Sequence, residues 1–483
     1  MQQESQLKEK TAKGLLWGGI GNGALQILNL AFGVFLSRLL SPSDYGVVGA
    51  LLIFYAVAGI FSESGFILAI VNRKNVGHAE YNAVFWFNVV VSLVLYAGLF
   101  ASAPLIARFY SQPEMLWLSR FLFLSFVFGA VSAAPVSYFM RHLMVKERSR
   151  IQIEAIAVSG ITGVFCAANG MGYWGLAIQT VLYSGMNCIL LWVRCPWRPD
   201  FRIAGSGGVL KSMLPFSCKQ LVVSLFQQFN NNFFLMLLGR FYGMRMTGFY
   251  SQANKWTVMG YATLTGMING VGQPVLRQTI ENRERTCRVF RKLLRFTCFI
   301  SFPAMLGLAI IARELIVIAV TDKWIDSVPL MQILCIGGAF MPITTLYGNL
   351  FNSVGKPNVY MWSTISLGLL QLSALFVTYR WGLTVMLAVY VAINIMWLPL
   401  MQAYARRYIG VTYRGVIADV APSLFVSVSV MVVTYWATMS ITAPVLSLVA
   451  RIAMAAGLYA LIMWRLSTEE FREVLDFLLK RKK

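Results

Sequence analysis

Residues 37–46 read Ser-Arg-Leu-Leu-Ser-Pro-Ser-Asp-Tyr-Gly, and 202 positions further on residues 239–248 read Gly-Arg-Phe-Tyr-Gly-Met-Arg-Met-Thr-Gly. Sliding the chain over itself by that offset puts Ser37-Arg38-Leu39-Leu40 on Gly239-Arg240-Phe241-Tyr242, and Gly46 on Gly248 after a loop of equal length. Each copy sits where the first apolar run of a six-run set gives way to the second. Self-similarity at equivalent positions is the mark of an internally duplicated chain. Six is even, so the two copies run in the same sense through a membrane, related by an axis along its normal.

Working outward, apolar runs bounded by charged or turn-forming residues fall near 14–37, 46–70, 82–105, 115–138, 152–169, 173–193, 212–238, 252–275, 296–320, 328–350, 359–379, 382–403, 419–441 and 444–464. Of 483 residues, 58% are hydrophobic and 12% charged, which supplies about 14 spans of about 20 residues each. The expected fold is an all-α polytopic membrane protein with a six-helix lobe over residues 1–205 and a second over 206–410. Two further spans follow over 411–466, then a basic amphipathic cytoplasmic tail over 467–483. The run from Gly14 to Leu36 is too long for the core of a cleaved signal and is expected to stay as the first span.

The net charge of +22 does not point to nucleic acid, because no polar stretch is long enough to fold into a basic soluble face. The charge lies in loops. With both termini cytoplasmic, roughly three quarters of the 41 Lys and Arg residues fall on the cytoplasmic side, as the positive-inside rule requires. The tail opens with a capping box at Ser467 and Glu470 and puts Phe471, Val474, Leu475, Leu478 and Leu479 on one face, the pattern of a helix lying on the inner leaflet. Residues Arg283 to Arg295, with Val289, Phe290, Leu293 and Leu294 as their apolar side, are expected to form a second surface helix.

Seven scattered cysteines without a CxxC pair and two histidines, His78 and His142, leave little for a disulfide framework, a zinc site or a His-based triad. Gly355-Lys356 is followed by Pro357 and completes no nucleotide-binding loop. No cofactor is expected, and any transport by such a chain is expected to be facilitated or coupled to a proton or sodium gradient.

Ionisable residues within spans are costly and by default face a cavity or a partner. In the first lobe these are Glu63, mid-way along the second span, and Glu154, near the cytoplasmic end of the fifth; Arg38 and Arg120 lie near span ends. The second lobe offers Lys219 in the seventh span, the amide row Gln227, Gln228, Asn230, Asn231 and Asn232, and Lys255 opening the eighth; Arg451 lies within the fourteenth. Arg38, Arg120 and Lys255 are close enough to helix ends to snorkel, and the amides equally suit hydrogen bonding between helices. Cations outnumber anions, which suits an anionic substrate group. Glu63 and Glu154 are the candidates for ion coupling, with a fixed salt bridge as the structural alternative.

The junction 37–46, followed by Ser62-Glu63-Ser64-Gly65-Phe66, resembles the bacterial polysaccharide transporter family of Wzx-type flippases, particularly its colanic-acid-exporter-like branch. Arg141-His142-Leu143-Met144-Val145-Lys146-Glu147, Leu238-Gly239-Arg240-Phe241, Phe302-Pro303-Ala304 and Lys323-Trp324 extend the resemblance over most of residues 10–410. It implies the multidrug, oligosaccharidyl-lipid and polysaccharide exporter superfamily, with two lobes around a central cavity that opens alternately to either side. The substrate it implies is an undecaprenyl-pyrophosphate-linked oligosaccharide, flipped across the cytoplasmic (inner) membrane for extracellular polysaccharide assembly. Membrane lipids, a polymerase and glycosyltransferases of the same pathway are the implied partners. Many relatives carry an Asp shortly before the Gly-Arg-Phe motif; this chain has Asn230 to Asn232 and then Phe233. Two other functions stay open on the residues. A multidrug cation exporter of the superfamily needs an acidic cavity, and a membrane-integral transferase needs paired carboxylates, of which Asp322 and Asp326 are the close pair.

Overall fold

The computed structural model describes residues 21, 23–54, 70, 76–201, 225–226, 228, 232–466 and 471. Among them no strand occurs, and ten helices are long and apolar enough to cross a membrane. The protein is an all-α multi-pass membrane protein. Its packing divides it into two compact units, Met1–Gly248 and Phe249–Lys483.

In the first unit, α1 (Gly23–Leu39) and α2 (Pro42–Phe54) are the described parts of the first two expected spans. They are followed by α3 (His78–Tyr110), α4 (Met115–Leu122), α5 (Leu124–Arg141), α6 (Val145–Ala168), α7 (Tyr173–Arg194) and α8 (Asn232–Phe241). The motif Ser41-Pro42-Ser43-Asp44 acts as a helix start. Ser41 Oγ and its backbone N–H donate to Asp44 Oδ2 at 2.6 and 2.9 Å, and the Asp44 N–H donates back to Ser41 Oγ. This reciprocal cap, with proline in the first turn, is why the chain re-enters a helix there.

The repeated glycines have a spatial role. A Cβ built on Gly46 would lie 1.7 Å from the Met244 carbonyl oxygen, and one built on Gly248 would lie 1.8 Å from that of Pro42. Pro42 and Met244 are themselves separated by the repeat offset of 202, so α2 and the first turn of α9 cross through reciprocal backbone contacts that only glycine permits. Nearby, Gly239 leaves room for the Tyr110 ring, whose hydroxyl donates to the Ala50 carbonyl at 3.1 Å. Val47, Leu51, Met115, Leu118, Phe123 and Phe126 complete the apolar core at this end. Toward the far end of α3, residues 195–200 lie along that helix. Trp86 Nε1 donates to the Asp200 carbonyl at 2.9 Å, His78 Nε2 bonds the Arg198 carbonyl at 2.9 Å, and Trp197 packs against Tyr81 and Trp192.

The helix α9 (Gly243–Thr279) leads into the second unit, which continues with α10 (Arg283–Ile310), α11 (Ala312–Val320), α12 (Ser327–Ser353), α13 (Pro357–Thr378), α14 (Leu383–Met396), α15 (Leu398–Ile409), α16 (Tyr413–Thr438) and α17 (Pro444–Arg465). The expected surface helix over Arg283 to Arg295 is instead the opening of α10, continuous with the ninth span. Thr286, Phe290 and Leu294 recur at helical spacing and are buried, so the apolar side of this stretch packs into the bundle while Arg285, Arg288 and Lys292 stay exposed. The expected run 296–320 is in turn broken at Ile311 between α10 and α11. The expected tail helix lies outside the described residues apart from Phe471, as do most of the second and seventh spans.

Candidate functional site

Two sets of polar groups stand within the helices of the second unit, and they differ in kind. One set is closed. Asp419, 3% exposed, receives Arg291 Nε at 2.6 Å and Arg291 Nη2 at 3.0 Å, with Arg295 Nη1 at 3.8 Å, tying α16 to α10. At the other end of α10, Arg451 Nη1 donates to Glu314 Oε2 and to the Ile310 carbonyl, both at 2.7 Å, and its Nε donates to Thr438 Oγ1 at 3.2 Å. Ser447 Oγ donates to Glu314 Oε1 at 3.1 Å, and the Arg451 guanidinium lies over the Tyr435 ring. The break at Ile311 is thereby explained: it turns a backbone carbonyl and a carboxylate toward one arginine, and α10, α11, α16 and α17 are joined there. A buried pair is tolerated when its remaining lone pairs and protons are met, and here both carboxylate oxygens and two of the three guanidinium nitrogens have partners.

The other set is open. Lys255 is half-buried within α9 and has no ion pair or hydrogen bond among the described residues, and Ser251, one turn earlier on the same face, has a buried hydroxyl without a partner. The adjacent Trp256 Nε1 is also buried and unpaired. Buried polar groups are normally satisfied; the Ser251 hydroxyl shares a face of α9 with Lys255, whereas Trp256 is turned to another side of the helix. The rest of α9 is held firmly. Thr257 Oγ1 bonds the Ala253 carbonyl, Asn349 Nδ2 donates to Asn269 Oδ1 at 3.1 Å, and Arg277 Nη1 donates to the Ser353 carbonyl.

An apolar groove of about 510 Å³ runs between α10, α16 and α17, lined by Phe299, Pro303, Gly307, Met431, Ala455 and Tyr459 among others. Small side chains on both walls make its depth, and Arg451, already paired, closes one stretch of it.

The residues singled out from the sequence are distributed as follows. Lys219, Glu63, Gln227 and Asn231 lie outside the described residues. Arg38 is exposed on the last turn of α1, beside buried Ser37, whose hydroxyl bonds the Gly33 carbonyl at 2.7 Å. Gln228 is half-buried and its carbonyl accepts from Asn232 Nδ2 at 3.0 Å. Lys255 stands in the open row and Arg451 in the closed network. Glu154 receives Arg194 Nη2 at 2.5 Å and Arg150 Nε at 3.2 Å, so it ties the start of α6 to the end of α7. With a carboxylate about one-third exposed, Glu154→Gln is expected to cost less than about 1 kcal/mol and to leave transport unchanged. Thermal unfolding and flipping by the purified variant check this; a lower rate at an unchanged unfolding temperature would give Glu154 a part in coupling.

Glu314 and Asp419 escaped the sequence reading. Glu314 follows Arg313 inside what reads as one continuous span, and Asp419 stands at the first residue of another; no local pattern links either to its arginine.

A profile of the family described as "Polysaccharide biosynthesis protein" matches residues 35–329. Among curated proteins, the lipopolysaccharide biosynthesis protein WzxC of Escherichia coli (strain K12) is 26% identical over 363 residues, covering 73% of this chain and 72% of the relative. The teichuronic acid biosynthesis protein TuaB of Bacillus subtilis (strain 168) is 22% identical over 395 residues, covering 80% and 81%. Among solved structures, the lipid II flippase MurJ in an inward closed conformation superposes with a TM-score of 0.74 at 13% identity, over 94% of this chain and 100% of the other. An inward-facing multidrug resistance MATE family transporter of the MOP superfamily superposes with a TM-score of 0.65 at 16% identity, over 80% and 94%. At these identities the structural likeness is one of fold.

Proposed function

Because the chain belongs to the polysaccharide biosynthesis protein family, we propose that it flips an undecaprenyl-pyrophosphate-linked oligosaccharide across the bacterial cytoplasmic membrane, both termini facing the cytoplasm. The observation that carries this reading is Lys255, a half-buried cation within α9 with no anion of its own among the described residues. Moving a pyrophosphate through a low-dielectric region is opposed by its loss of hydration. An ammonium group on the path, with the Ser251 hydroxyl one turn away on the same face, offsets that loss, while sugar hydroxyls bond to the amide row. The lipid tail stays in apolar surroundings, for which the groove between α10, α16 and α17 has the right lining. Two lobes, 1–205 and 206–410, rock to expose the headgroup to either leaflet. Lys219 and Arg38 add positive charge to the path, and Glu63 takes the ion-coupling role.

Lys255→Ala is expected to lower export of polymer at least tenfold at unchanged protein level, with lipid-linked oligosaccharide accumulating inside. Lys255→Arg, which keeps the charge, is expected to retain part of the activity. Export by the Ala variant equal to wild type at matched expression would remove Lys255 from the path. A cation exporter is disfavoured by the same residue, since an unpaired ammonium repels its cargo.

A further inference from the structure

We propose that the end of the second unit formed by the start of α10, the end of α15 and the start of α16 is a docking face for anionic membrane lipid, separate from the substrate path. Arg285, Arg288 and Lys292 follow one another at helical spacing and are exposed, on the side of α10 opposite buried Thr286, Phe290 and Leu294. Across from them Arg406, Arg407 and Arg414 are also exposed. The two groups are locked together. Arg283 Nη2 donates to the Arg406 and Arg407 carbonyls at 3.3 and 3.1 Å, which ties the end of α15 to the start of α10, and the Asp419 pairs tie α16 to the same helix.

Part of this charge is set against the fold's own fields. Arg285 and Arg414 lie in the first turns of α10 and α16, where the helix macrodipole disfavours a cation. Asp419 is nearly fully buried and already engaged by Arg291 and Arg295, and among the described residues the acidic side chains next in sequence to the start of α10 are Glu281 and Glu284, both exposed. Cations assembled against their local field are relieved by anions from outside. One turn beyond Lys292, α10 exposes Phe296 and becomes apolar. The charged face therefore lies at the depth where a helix leaves the hydrocarbon, which selects headgroup phosphates of lipids over a soluble acidic protein.

The test uses the full chain, purified and exchanged into nanodiscs of equal parts phosphatidylglycerol and phosphatidylcholine, with co-purifying lipid counted by native mass spectrometry. Wild type is expected to retain phosphatidylglycerol in preference, and the preference to fall at least threefold in the combined variant R285Q/R288Q/R414Q. Raising salt from about 0.1 to about 0.5 M is expected to weaken it in wild type as screening shortens, a readout that requires no variant. Unchanged preference in a folded variant, or a preference indifferent to salt, would overturn the assignment. So would displacement of the lipid by millimolar inorganic pyrophosphate, which would make the face a discrete phosphate site.

Discussion

Replacing Arg451 with methionine is expected to lower stability by about 3–5 kcal/mol, the cost of leaving a buried carboxylate without its partner. Glu314 would keep only the Ser447 hydroxyl and would face the Ile310 carbonyl, itself deprived of a donor. The joint between α10, α11, α16 and α17 would open, and the purified protein would unfold at a markedly lower temperature in detergent. Glu314→Gln should fall short of that, because the amide still meets Ser447 and strands a cation that reaches the Ile310 carbonyl and the Tyr435 ring. The double variant R451M/E314Q removes both charges and is expected to recover to within about 1–2 kcal/mol of wild type. Three unfolding curves decide the point. If the double variant is no more stable than R451M, the pair is not the reason for the arrangement. If it is stable but does not flip lipid, Arg451 belongs to the transport path after all.

That Arg451 reads from the sequence as a candidate site residue, and in space as a joint, shows where inference from order alone ends. Hydrophobic runs are legible because hydropathy is local, and most expected spans recur as helices with ends shifted by a few residues. Lys255 is only partly legible: the sequence places it at the opening of the eighth span, near enough to an end to snorkel, whereas α9 already begins at Gly243 and holds it well inside the helix. The partners of Arg451 and Arg291 are not local. Glu314 is 137 positions away from one and Asp419 is 128 positions from the other, and nothing in either neighbourhood specifies which helix will lie alongside. The same gap explains the basic stretch at the start of α10. Its amphipathic pattern identifies a helix with one apolar side, but what covers that side, here other helices of the second unit, follows from the tertiary arrangement. The repeat is the exception. Its two copies report on each other across 202 residues, and each of the glycines they align presses on the backbone of the other copy.

Those glycines carry the second large effect. At Gly46 and Gly248 an added methyl would have to displace a backbone carbonyl, not the flexible end of a side chain. Overpacking against side chains costs about 1–3 kcal/mol, and a helix backbone has fewer ways to yield, so Gly46→Ala and Gly248→Ala are each expected to reach or exceed the upper end of that range. Gly23→Ala and Gly98→Ala, where nothing lies within 4 Å of the new atom, are expected to be neutral or to stabilise by up to about 1 kcal/mol through helix propensity. The reciprocal geometry makes a sharper claim. Once one alanine has parted α2 from the first turn of α9, the opposite contact is relieved as well, because the same two backbones form both. The double variant G46A/G248A should therefore unfold close to the temperature of either single one, with a coupling energy nearly as large as one single effect. Additive losses would mean that the two contacts yield separately, and the crossing would then be two independent close approaches that happen to share a repeat.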